Sequence, residues 1–217
     1  MIREAGVRLT PRYRGVMHAY SVAPAIALGV VLVVLAPAAR PRLAAVFYAG
    51  GLCICLGVSA VYHRGRWTAE VKAQLGRVDH AAIFLLIAGT ATPVFLISVG
   101  GAMGTLFVTM EWAGAIAGMA LALLWHRPPV WAEVAPYICL GWLGLMGLPA
   151  LHGSFGATGL WLLVGGGALY TVGAVCYAFE RPDPWPTTFG FHEIFHCFVV
   201  AAAAMHAVLI AFLVITG

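Results

Sequence analysis

The 217-residue chain is 62% apolar and only 9% charged, with a mean hydropathy of +0.95 and a formal net charge of +4 at pH 7. That balance lies far outside the range of soluble domains and makes the protein an integral membrane protein. The modest positive charge suits anionic lipid headgroups and gives no sign of nucleic-acid binding.

The chain opens on a basic tail, residues 1–16, with Arg3, Arg8, Arg12 and Arg14. A membrane-spanning helix needs about 20 mostly apolar residues. Cutting the sequence at its charges and its proline or glycine clusters predicts seven, at 17–38, 43–63, 79–99, 103–125, 134–151, 158–179 and 191–215. The first is longer than the roughly 7–15 apolar residues of a cleaved signal peptide and is read as a helix. All seven are too long and too uniformly apolar for barrel strands, which run about ten residues with alternating polarity. The fold class is all-α, a seven-transmembrane helix bundle, with residues 17–217 as a single membrane domain.

Ten of the twelve Lys and Arg residues fall on one side of this topology, against only Arg40 and Arg42 on the other. The positive-inside rule then puts the N-terminus in the cytoplasm and the C-terminus outside, in the inner (plasma) membrane of the cell. Cys53, Cys55, Cys139, Cys176 and Cys197 all lie within spans without framework spacing, so no disulfide is expected.

Ionisable side chains inside a bilayer are costly and mark candidate sites. His63 ends the second span, Asp79 opens the third, and His192 and His196 open the seventh, all at the cytoplasmic level. His192 and His196 are four apart, which stacks them on one helix face about 6 Å apart and lets both reach one ion. That is how a helix gives two imidazoles to zinc. His63 is the third candidate ligand, and Ser59, one turn deeper on the same face, can point its hydroxyl into the same space. Three neutral histidines around Zn²⁺ leave a fourth position for water, the pattern of catalytic sites, with Asp79 as its general base.

Each residue also has a plainer reading. A lone histidine at a helix end is commonly an interfacial hydrogen-bonding group, and an aspartate opening a helix serves as a cap or dipole partner. His206 lies about 15 Å beyond His196 along the helix, too far to share the ion, and reads as an interhelical hydrogen-bonding residue. His18, His80, His126 and His152 read as interfacial. Glu111, inside the fourth span, has no assigned role, and Pro93 is expected to kink the third helix. "HEIFH" (192–196) also fits the H-E-x-x-H pattern of zinc metalloproteases, which needs Glu193 turned toward the metal; placed at the start of a helix, Glu193 also suits the N-terminal dipole.

The segments "SAVYH", "DHAAIFLLIAGTATP" and "HEIFHCFVVAAAAMH", in that order on a seven-helix frame, resemble the bacterial hemolysin III proteins and their relatives, the progestin and adiponectin receptors. The resemblance implies zinc held by His63, His192 and His196, Asp79 bonded to the metal's water, and Ser59 beside them. It also implies ceramidase-like hydrolysis for the receptor branch, and pore formation, haemolysis or lipid homeostasis for the bacterial branch. The expected function is hydrolysis of a membrane lipid's amide or ester bond. The alternatives are a lipid-sensing receptor with structural zinc and a membrane-lytic channel.

Overall fold

A computed structural model of the protein describes residues 10–126 and 128–217; Arg3, Arg8 and Arg127 of the charge count lie outside the described residues. Seven helices among these are long and apolar enough to cross a membrane. The helical elements are α1 (Val16–Leu35), α2 (Ala39–Arg64), α3 (Ala69–Pro93), α4 (Gly101–Leu124), α5 (Val130–Trp142), α6 (Leu148–Phe179) and α7 (Phe191–Thr216), the fifth crossing being Val130–Gly153 and the sixth Gly156–Phe179. The chain is a multi-pass, all-α membrane protein.

Several boundaries differ from the sequence reading. Helix α3 begins at Ala69 rather than 79, because Thr68 caps it by accepting from the Val71 N–H at 3.4 Å and Glu70 sits in the first turn. Its first turns carry exposed Glu70, Lys72 and Gln74, which extend the helix beyond its apolar part. Pro93 does not end that helix in a simple kink: lacking an N–H, it leads into a π-helical turn over Val94–Val99 that closes at Gly100. The fifth crossing starts at Val130 and runs through a 3₁₀ segment, Leu143–Gly147, into the first turns of α6. Gly156, at φ 57° and ψ −148°, breaks α6 and starts the sixth crossing.

Small residues line the contact between α2 and α3 in the interior. A Cβ on Gly51 would stand 2.7 Å from the Leu85 carbonyl oxygen, and one on Gly89 2.7 Å from that of Phe47. Helices α2 and α3 therefore meet backbone to backbone, as membrane helices do where side chains leave room. Large apolar side chains such as Val34, Ile54, Ile116 and Trp161 face outward instead. Leu32, Tyr48, Leu52, Leu86 and Ile210 fill the core between α1, α2, α3 and α7. This packing brings the ends of α2 and α7 and the middle of α3 to one level. The described cysteines are all free thiols.

Candidate metal centre

His63 sits in the last turn of α2, His192 and His196 in the first two turns of α7. Their nearest donor atoms all lie within 4.8 Å of one another. His63 Nε2 and His192 Nε2 are 3.2 Å apart, and the His196 ring centroid is 5.1 Å from that of His63 and 4.6 Å from that of His192. The three predicted ligands thus come together.

The donor set fits a metal. Two nitrogens bound tetrahedrally at about 2.0–2.1 Å from zinc stand roughly 3.3 Å apart, close to the 3.2 Å between His63 and His192. Two Nε2 atoms at that distance either share a proton or face a common cation. The His196 donor atom lies within 4.8 Å of both.

Asp79 Oδ2 is 3.6 Å from His63 Nε2, and its side chain is 13% exposed. Because α3 starts at Ala69, Asp79 lies well inside the helix and does not open it, so capping is not its role; Thr68 is the cap. The carboxylate faces the histidines from a continuous helix. Ser59 is buried, and its Oγ lies 2.8 Å from Nδ1 of His18.

His18 is the residue the sequence reading misplaced. Taken there as interfacial, it is only 3% exposed, and its ring stacks on His196 with centroids 3.9 Å apart and planes 8° from parallel. Its partners are 41 and 178 positions away, so no local pattern could announce them; its place in the first turn of a span, one helix from Ser59, was the only available hint. His126 keeps an exposed position beside Arg77, at 2.8 Å, and His152 is also exposed. His80 lies 3.6 Å from Glu133, off the histidine cluster. His206 Nε2 donates to the Leu163 carbonyl at 3.1 Å, the interhelical bond expected of it.

Glu193 is fully committed elsewhere. One oxygen accepts from the Gly190 N–H at 2.8 Å and the other from Arg14 Nε at 2.6 Å, with the side chain 1% exposed. It caps α7 and anchors the segment before α1, which also donates from the Arg12 and Tyr13 N–H groups to the Thr187 and Thr188 carbonyls. The protease arrangement needs that carboxylate free for water, so the H-E-x-x-H match loses its chemistry.

Behind the histidines runs a cavity of about 130 Å³ with largely apolar walls. Asp79, Ser59 and His196 line one end, and Glu111 and His206 lie further along.

Comparison with known proteins places the chain. The sequence description of "Haemolysin-III related" proteins matches residues 8–207. "Hemolysin-3" of Bacillus cereus is 37% identical over 128 residues, 59% of this chain and 56% of that protein. The match therefore spans little more than half the length of that relative. "Monocyte to macrophage differentiation factor" of Homo sapiens is 26% identical over 196 residues, covering 87% of this chain and 78% of the relative. "Adiponectin receptor protein" of Drosophila melanogaster is 28% identical over 193 residues, 72% of this chain and 39% of the relative. With the family match running through all three motif segments and nearly the whole bundle, the chain belongs to the haemolysin-III-related family.

Proposed function

We propose that the protein is a zinc-dependent hydrolase of lipid amide or ester bonds, with His63, His192 and His196 as the metal ligands and Asp79 as general base. One observation carries the reading: three imidazoles and a carboxylate from three helices come together, with His196 and Asp79 among them lining an apolar cavity. Bound there, zinc supplies a polarising charge for a carbonyl and lowers the pKa of water to about 7. Asp79 takes the proton of the attacking water and returns it to the leaving amine or alcohol, so the acid and base roles balance over one turnover. The cavity walls take an acyl chain of the membrane lipid and keep bulk water from the carboxylate. Ser59 is a positioning residue, fixing His18, whose ring in turn sets the plane of His196.

Localisation to the inner membrane, with the N-terminus cytoplasmic, belongs to the same proposal. It is supported by the charge asymmetry of the sequence.

The test joins metal content with turnover. Elemental analysis of the purified protein should give one zinc per chain, lost in the alanine variants of His63, His192 and His196. Asp79→Ala should keep the zinc and lose at least 100-fold in turnover on a panel of ceramides and lipid esters. Absence of turnover in the zinc-loaded wild type would sink the reading. The names of the relatives favour two others. A receptor with structural zinc predicts that His63→Ala lowers thermal stability with no turnover to lose. A lytic protein predicts dye leakage from liposomes that does not need Asp79.

A further inference from the structure

The segment leading into α1 is packed against the histidine cluster. Pro11, Gly15 and His18 turn inward and are buried, while Arg12 and Tyr13 stay exposed, so residues 11–15 run along the surface of the protein. They are tied down at several points. The Arg12 and Tyr13 N–H groups donate to the Thr187 and Thr188 carbonyls, at 3.0 and 3.1 Å, in the stretch that leads into α7. Arg14 Nε donates at 2.6 Å to Oε1 of Glu193, the residue after His192. Gly15 sits on His63 with no room for a Cβ of its own, and in the first turn of α1 the His18 ring stacks on that of His196. Next to this strap, the His63 side chain is 6% exposed and His196 2%.

These contacts bear on how an ion reaches the three imidazoles. The cavity behind them has largely apolar walls, which a hydrated dication does not cross. The way in from water therefore lies on the side of the bundle where the strap is fastened. The fastening is a light one: two backbone hydrogen bonds to exposed threonines and an ion pair whose arginine is 19% exposed. Gly15, at φ 74°, is the joint between the strap and the regular helix α1, and glycine moves in and out of the left-handed region at little steric cost. A joint of one residue is enough for a short segment to swing.

We propose that residues 11–15 are a hinged strap, pivoting at Gly15 and latched by the Arg14–Glu193 pair, whose opening is the route by which a divalent metal ion enters and leaves the histidine site. This rests on the metal ligands of the proposed function and not on hydrolysis.

Zinc exchange tests it. With the full chain in nanodiscs, uptake of Zn²⁺ by the metal-free protein and its release to excess chelator are each timed. Arg14→Ala and Glu193→Gln both undo the latch but remove charges of opposite sign. Acting on the ion directly, the lost charges would slow release from Arg14→Ala and slow uptake by Glu193→Gln. Acting through the strap, both variants should take up and release zinc faster, by roughly tenfold or more. Slower or unchanged release from Arg14→Ala, or slower or unchanged uptake by Glu193→Gln, would overturn the strap. Amide hydrogen exchange locates the effect: Arg12 and Tyr13 should lose protection in both variants while the middle of α7 keeps it. Loss of protection spread through α7 would mean general loosening and would overturn a local opening. Wild-type protein that takes up no zinc would instead reject the metal ligands themselves, and the strap's role with them.

Discussion

Gly15, the residue before α1, stands at φ 74°, and a Cβ there would overlap the Cβ of His63. The left-handed backbone alone costs a side chain about 1–2 kcal/mol, and the overlap falls on a metal-ligand candidate. Gly15→Ala should therefore lower the melting temperature and, in elemental analysis, the metal content together. Ser59 makes a second prediction at this scale. Removing its hydroxyl leaves the buried His18 ring without its 2.8 Å partner, a loss of about 1–3 kcal/mol for an unsatisfied buried group. Denaturation of Ser59→Ala should show that loss, with weaker metal retention because His18 no longer braces His196. His63, His192 and His196 were legible from the sequence because span ends and an i, i+4 spacing are local patterns. His18 was not, because stacking on a ring 178 positions away leaves no trace in its neighbours.

Helices meet here through residues without side chains. Gly51 and Gly89 let α2 and α3 touch at the backbone, and a methyl at either would come within 2.7 Å of a carbonyl oxygen. Gly51→Ala and Gly89→Ala should each destabilise by about 1–3 kcal/mol through overpacking, read as a lower thermal midpoint. Both should also disturb the site, since the α2–α3 contact sets the 3.6 Å between His63 and Asp79. At the other contact, Arg14 joins the segment before α1 to the start of α7. Arg14→Ala strands a buried Glu193, and with Arg14 19% exposed the cost is about 3 kcal/mol. Glu193→Gln keeps an oxygen for the Gly190 N–H, so unfolding experiments should find it milder than Arg14→Ala. The existence and order of the helices followed from hydropathy, but their ends did not. The start of α3 at Ala69 depends on a cap and a charged overhang that an apolar-run criterion passes over.

Across the whole molecule, the seven crossings put the two chain termini at opposite ends of the bundle, and the candidate metal centre lies toward the N-terminal end. Of the described Lys and Arg residues, Arg12, Arg14, Arg64, Arg66, Lys72, Arg77 and Arg181 lie at that end against Arg40 and Arg42 at the other, which predicts that it faces the cytoplasm. Reporter fusions at the two termini should therefore give a cytoplasmic signal at the N-terminus and an external one at the C-terminus. The opposite pattern would move the candidate centre to the outer leaflet.

Length, hydropathy and charge determined that this is a seven-helix membrane protein, because covering backbone polarity in lipid leaves a long apolar run only one structure to adopt. The same reading brought His63, Asp79, His192 and His196 to one level, since depth in a bilayer can be counted along a helix at about 1.5 Å per residue. Lateral neighbours cannot be counted that way. Only tertiary packing decided that His18 braces His196, that Arg14 and the Gly190 N–H occupy Glu193, and that Glu111 shares a cavity with His206. Those pairings depend on which faces of the helices turn toward one another, and in this chain the faces are chosen by glycines and alanines whose fit appears only when the helices meet.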